Sequence, residues 1–242
     1  MRKNRFIKMF IVLFVISIIA ITVISIIVKY QVEGETNMPF EISKIMVIST
    51  AGGIQKEQTE NKWDLDLIQS NDVYIDIIKN KNYNEEEIID KIIIDNLTIE
   101  TKPLKGEIKT YRLNGETGVL TNSEDARVEN SLEYTGSEKS DLKNLQIANQ
   151  GGLILLRFVN ENLGNYTSND DTEIRHDGTL LGKIGITNEE IKFTVSFDLS
   201  IELKSEKKYK TNIVLEMPTG DIVQEGTTNY QMNDDNIVFK RY

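Results

Sequence analysis

The chain has no cysteine among its 242 residues and a single histidine, His176. The missing cysteine removes disulfide support, thiol catalysis, cysteine-rich zinc sites and any lipid anchor on a cysteine. His176 sits in Arg175-His176-Asp177-Gly178, with no G-x-S-x-G elbow anywhere to accompany it. A Ser-His-Asp triad therefore has a base and no nucleophile signature, and His176 reads as a solvated loop residue. Ser140-Asp141-Leu142-Lys143 and Ser205-Glu206-Lys207-Lys208 both fit S-x-x-K, but S-D-N and K-T-G are absent, so the penicillin-binding pattern is incomplete. There is no internal repeat and no low-complexity tract. No cofactor motif is present, and the expectation is a protein that is not an enzyme.

Positive charge is scarce outside the N-terminus. The formal net charge is −10, and the leader Met1 to Lys8 holds Arg2, Lys3, Arg5 and Lys8 with no acid, so −14 falls on the remainder. Such an exterior repels nucleic acid and anionic headgroups. It also keeps a domain soluble.

Met9 to Val28 has no charged residue at all. Its twenty residues at about 1.5 Å each give about 30 Å, the thickness of a bilayer's hydrocarbon core. Ser17, Thr22 and Ser25 can bond back to the helix's own carbonyls. The run is longer than a signal peptide's apolar region, and Lys29, Tyr30, Gln31 and Val32 offer no small-x-small cleavage site. A type IV pilin leader is excluded because Arg5 precedes Phe6 and Phe10 stands where that family has Glu. The basic leader predicts a cytoplasmic N-terminus, with everything from Lys29 outside. Residues 1–8 are then a cytoplasmic leader, 9–28 a transmembrane helix, 29–39 a polar stalk, and 40–242 an extracytoplasmic domain whose anchor partner is the lipid bilayer.

That domain reads as strands. Ile191, Phe193, Val195, Phe197, Leu199, Ile201 and Leu203 alternate with Lys192, Thr194, Ser196, Asp198, Ser200 and Glu202. Period two over that length is a strand with one buried face and one wet face. After a turn at Ser205 to Lys208, Tyr209, Thr211, Ile213, Leu215 and Met217 repeat it, giving a long antiparallel hairpin. Earlier, Phe40 to Thr50 reads as a first strand ended by Ala51-Gly52-Gly53. Trp63, Leu65 and Leu67 form a second, Gln69 to Asp72 a turn, and Val73, Ile75 and Ile77 a third. Asn84 with Glu87 suggests a capping box and a helical turn running into a strand from about Lys91 to Thr101. Glu107 to Leu113, Ser131 to Thr135, Leu142 to Asn149 and Gly152 to Asn160 are weaker strands. Leu163 to Gly182 reads as irregular, and Ile237 to Phe239 as a closing strand. One-sided burial suits an all-β antiparallel sandwich, jelly-roll or Ig-like.

The run QSNDVYIDIIKNKNYNEEEIIDKI and the hairpin FDLSIELKSEKKYK resemble single-span membrane-anchored proteins of low-GC Gram-positive bacteria, a family without an assigned activity. The resemblance covers nearly the whole chain. It implies a membrane location and brings no site residues.

Two loops are crowded with oxygen ligands: Asn169, Asp170, Asp171, Glu173 and Asp177, and Asn233, Asp234, Asp235 and Asn236. Calcium takes six to eight oxygens, which makes Asp170, Asp171, Glu173 and Asp177 the metal candidates, although neither loop has the D-x-[DN]-x-[DN]-G spacing. Trp63, Tyr74, Tyr83, Tyr111 and Tyr134 could form a sugar-stacking face. The expected function is a non-catalytic module for adhesion, assembly or ligand binding at the cell envelope. Its rivals are a protein that binds or hydrolyses wall glycan and a subunit of a membrane-bound assembly, with another envelope protein or wall glycan as partner.

Overall fold

The computed structural model describes residues 2–59, 62–168, 179–233 and 237–242. Helix α1 (Arg2–Glu33) is apolar on all sides between Met9 and Val28, and its stretch Phe6–Glu33 has the length and composition to cross a membrane, with none of it buried inside the protein. Such a helix is compatible with a single membrane span, and a signal sequence has the same length and composition. It runs through the first part of the expected stalk and stops where Gly34 adopts φ +70°, a left-handed geometry that suits glycine at a helix end.

Among the described residues eleven strands build two sheets. They are β1 (Phe40–Thr59), β2 (Lys62–Lys79), β3 (Ile89–Thr101), β4 (Glu107–Tyr111), β5 (Leu132–Ser137), β6 (Gln146–Ala148), β7 (Gly151–Thr167), β8 (Phe193–Leu203), β9 (Lys208–Met217), β10 (Thr227–Asn233) and β11 (Lys240–Arg241). The first sheet has the order β10-β1-β2-β7-β4, and the second β11-β9-β8-β3-β5-β6. Every pairing is antiparallel except β5 with β6. The expected all-β sandwich behind an N-terminal helix is what the chain forms. The short strands β4, β6 and β11 carry the count past the roughly eight of a jelly roll or an Ig-like module.

The β8–β9 hairpin is the spine of the core. Phe193, Val195, Phe197, Leu199, Ile201 and Leu203 are buried against Ile42, Ile45, Val47, Val73, Ile75 and Phe158 of the other sheet. The opposite face is less wet than alternation predicts. Ser196 and Ser200 are buried, and Ser196 Oγ donates to Glu100 at 2.6 Å.

Strands β1, β2 and β7 overrun this sandwich. There Leu65, Leu67 and Leu163 meet Leu180, Leu181 and Ile222 in a second apolar cluster, closed by α2 (Thr179–Lys183) and α3 (Ile222–Glu225). Between the two clusters lie the buried polar residues Ser49, Gln69, Asn71 and Asn160.

That layer explains the main departure from the sequence reading. Gln69 to Asp72 is no turn. Gln69 and Asn71 stand at odd positions of β2 with Leu65, Leu67, Val73, Ile75 and Ile77, on the same inward face. The inward amides are partnered in part, Gln69 Nε2 donating to Asn71 Oδ1 (3.3 Å) and Asn71 Nδ2 to the Phe158 carbonyl (3.2 Å), while Gln69 Oε1 is left without a partner. The strand therefore continues and pairs with β1, whose Gly52 and Gly53 stay in the ladder opposite Ile68 and Leu67. A side chain at Gly53 would press on Leu65 at 3.2 Å, so glycine there allows close packing and does not end the strand.

Three further readings change, and one strand, β10, went unread. Asn84 to Glu87 forms no helix, because the Glu87 side chain turns inward to a lysine. Leu163 to Thr167 is strand, paired with Asp64 to Leu67. The closing strand is Lys240–Arg241, not Ile237 to Phe239, and β10 has no apolar alternation that could announce it.

Candidate functional site: the junction of helix and sandwich

The last turn of α1 is hydrogen-bonded to the last strand of the domain. Tyr30 Oη accepts the Arg241 backbone N–H at 2.7 Å and reaches its carbonyl at 3.4 Å. Lys240 Nζ donates to Gln31 Oε1 at 2.6 Å. Just past the helix, the Glu35 N–H donates to the Phe239 carbonyl at 2.8 Å. Met38, Phe40 and Phe239 are all buried in the main core. The segment 29–39 is thus a docked connection and not a free stalk.

Strand β11 passes this contact to the second sheet, since Lys240 and Arg241 pair with Lys210 and Tyr209 of β9. The chain end is held as well. The Tyr242 N–H donates to the Lys208 carbonyl (3.2 Å), its hydroxyl to Glu202 (3.2 Å), and Lys210 Nζ lies 5.4 Å from its ring centroid. An open groove of about 440 Å³ runs between the helix end and the sheet, lined by Gln31, Val32, Asp198, Lys210, Lys240 and Tyr242. Lys210 and Asp198 pair inside it. Lys210 reaches Asp95 at 3.4 Å and Asp198 at 3.5 Å. Burial would lift the Asp198 carboxyl, but hydrogen bonds from Asn212 and Asn96 and the charge of Lys210 hold it below the ordinary aspartate range. Burial would lower the Lys210 ammonium, but Asp95 and Asp198 raise it. Asp198 and Lys210 thus both keep their charged forms at neutral pH.

A second cluster gathers on the β8–β9 turn. Lys207 Nζ donates to Glu87 (2.7 Å), Tyr83 (3.0 Å) and Glu85 (3.1 Å), and Ser205 Oγ donates to Glu87 at 2.6 Å. Burial pushes the Glu87 carboxyl up, yet the hydrogen bonds from Lys207 and Ser205 outweigh it and leave the group more acidic than usual. The bond to Glu87, followed by those to Tyr83 and Glu85, holds the Lys207 ammonium above the ordinary lysine value. A lysine locked in its charged form cannot take a proton from Ser205. Lys208, the lysine of the S-x-x-K match, pairs with Glu202 instead. At the other match, Ser140 Oγ donates to the Gln146 carbonyl. Both matches are turn chemistry.

The aromatic candidates do not share a face. Tyr134 is buried in the core, its hydroxyl on the backbone of Leu155, and burial pushes that phenol up to about 12. Tyr111 is buried under the loop that follows β4 and donates to Glu161 at 2.8 Å. Trp63 packs on the second cluster, and Tyr83 belongs to the Lys207 group. The calcium candidates Asp170, Asp171, Glu173 and Asp177, together with His176, lie outside the described residues, as do Asp234, Asp235 and Asn236. Among the described residues no cluster of three or more His, Asp or Glu could hold a metal.

Sequence reasoning missed the Tyr30 to Arg241 contact entirely. Its partners are separated by 211 positions, and a tyrosine beside a membrane span reads as an interfacial anchor. No protein-family model matches the chain, and neither a curated protein nor a solved structure shows significant similarity to it.

Proposed function

We propose that the chain is a membrane-anchored, non-catalytic module that holds a β-sandwich at a fixed attitude outside the membrane, for adhesion, assembly or ligand binding at the cell envelope. The observation that carries this reading is the clip of Tyr30, Gln31 and Glu35 onto the final strand. A simple tether needs only a flexible linker. A clipped joint transmits the helix's direction to both sheets, which matters when one face must meet a partner. The basic residues Arg2, Lys3, Arg5 and Lys8 ahead of the apolar stretch, against Lys29 alone just after it, favour a cytoplasmic N-terminus.

Protease added to intact spheroplasts tests the location, with the fate of the leader as its companion readout. The expected result is loss of the domain together with retention of the undigested chain, leader included, in the membrane pellet. Full protection would reverse the orientation. Release of a leaderless domain into the medium would make the helix a cleaved signal and end the anchor reading.

A further inference from the structure

We propose that the end of the domain beyond the buried polar layer opens as a unit of its own while the sandwich beneath it stays closed. The second sheet stops at that layer. Strands β3, β8 and β9 reach Thr101, Phe193 and Met217 there, whereas β1 runs on to Thr59, β2 comes back from Lys62 and β7 runs on to Thr167. Among the described residues a single sheet continues, and α2, α3 and a helical turn at Asn188–Ile191 take the place of the other. The apolar cluster at this end, with Leu65, Leu67, Leu163, Leu181, Ile186 and Ile222, is separate from the main core.

The layer between the two clusters is polar and only partly bonded. Ser49, Gln69, Asn71 and Asn160 are fully buried, with Ser49 opposite Asn71 and Gln69 opposite Asn160 in the ladder. Ser49 Oγ accepts the Thr219 N–H and Asn160 Nδ2 donates to the Lys105 carbonyl, both at 3.0 Å. Among the described residues Gln69 Oε1 and Asn160 Oδ1 have no partner. A buried acceptor without a partner costs free energy that is recovered once water reaches it. Parting the structure along this layer therefore hydrates two groups that the closed state leaves dry. The ladder is also broken at this level. Strands β2 and β7 shift register between Leu67 and Gln69, where Glu161, Asn162 and Leu163 have no opposite residue on β2 and Asn162 takes φ +61°. Such a bulge disrupts pairing where the layer lies.

Burial of apolar surface ties neighbouring groups together, since each exposes its neighbour when it leaves. A polar layer does not carry that tie across. The two sides are also unequal. The sandwich closes on itself, two sheets with the β8–β9 hairpin as spine. The cluster beyond the layer is built on β1, β2 and β7, strands that the sandwich holds in place. It can open alone, and the sandwich cannot open without it. Proteins open locally in contiguous units of this kind. Strand β1 leaves the clip at Phe40 and meets the layer at Ser49, so the opening part is the one farther from the helix. The domain is gripped at its helix end and free to rearrange at the other. The inference rests neither on the proposed function nor on which side of the membrane the domain occupies.

Hydrogen exchange of the full-length chain in nanodiscs, read by mass spectrometry at rising sub-denaturing urea, tests it. Residues 63–67, 163–167 and 180–186 are expected to share one opening, roughly tenfold or more easier than that of β8 and β9 and with a smaller urea slope. The step in protection should fall between Leu67 and Asn71 on β2 and between Asn160 and Leu163 on β7. Leu181→Ala, which truncates a buried member of the second cluster, should speed exchange beyond the layer and leave β8 and β9 unchanged. Phe197→Ala should do the reverse, speeding exchange in β8 and β9 and narrowing the difference. One opening free energy and one urea slope throughout would overturn the proposal. So would a gradual rise in exchange toward the strand ends with no step at the layer, or an equal response of both parts to Leu181→Ala. None of these outcomes alters the spheroplast result, so the two readings fail separately.

Discussion

The hydroxyl of Tyr30, on the last turn of the apolar helix, accepts the backbone N–H of Arg241, the next-to-last residue of the chain, at 2.7 Å. The last turn of the helix and strand β11 therefore meet where the helix leaves the sandwich. Lys240 on Gln31 and Tyr242 on Glu202 extend the contact to both sides, and β9 carries it into the second sheet.

The core makes the first prediction. Phe197 is fully buried in the β8–β9 hairpin, and Phe→Ala in such a place costs about 3–5 kcal/mol, a large share of the roughly 5–15 kcal/mol that stabilises a domain. Urea unfolding of Phe197→Ala should show a loss of that size. Ser196→Ala should cost about 0.5–1.5 kcal/mol, because the structure gives that hydroxyl a carboxylate partner in Glu100. Equal and mild effects would mean that the odd-numbered face of β8 is not core.

The buried polar layer makes the second. Asn71→Leu removes the donor to the Phe158 carbonyl and should cost about 1–3 kcal/mol. Gln69→Leu takes away the donor to Asn71 Oδ1, but Gln69 Oε1 already lacks a partner, so its cost should be smaller. The double variant should cost less than the two single costs added together, since residues in one hydrogen-bond network couple. Strict additivity in denaturant melts would show that the two amides act independently.

The acid side of the stability curve makes the third. Glu87 is more acidic folded than unfolded, so its contribution is present above the unfolded value of about 4.3 and fades as pH falls through the folded value. Lys207 is shifted upward, so its share is complete below about 10.4 and is lost as pH rises through the folded value. Glu87→Gln should lower stability at pH 7 and flatten the fall below pH 5 by up to one proton, about 1.4 kcal/mol per pH unit. Unfolding free energies at pH 7 and pH 4 would show this as a smaller gap in the variant than in the native chain. An unchanged gap would remove Glu87 from the acid response.

Legibility in the sequence followed the physics of each element. The β8–β9 hairpin was readable because every second residue is apolar and one face is buried, and the apolar helix because nothing interrupts Met9 to Val28. Strand β2 was misread at Gln69 and Asn71, since composition does not distinguish an amide facing inward with a partner from one in a turn. The Asn84 to Glu87 motif imitated a helix start because a capping glutamate and a glutamate bound to a distant lysine look alike in sequence. Strand β10 offered little hydrophobic alternation to read, because five of its seven residues are Thr, Asn or Gln. The clip was invisible because its partners are distant in sequence and polar, and polar contacts leave no periodic trace.

The fixed attitude of the sandwich on its helix is the central claim, and a distance between spin labels tests it most directly. Lys29→Cys on the helix and Lys44→Cys on β1 replace exposed side chains in a chain without other cysteines. In nanodiscs the pair should give a narrow distance distribution. Deleting residues 240–242, or combining Tyr30→Phe with Lys240→Ala, should broaden it while thermal unfolding of the sandwich changes little. A broad distribution with the clip intact, no narrower than that of the deletion, would contradict the account.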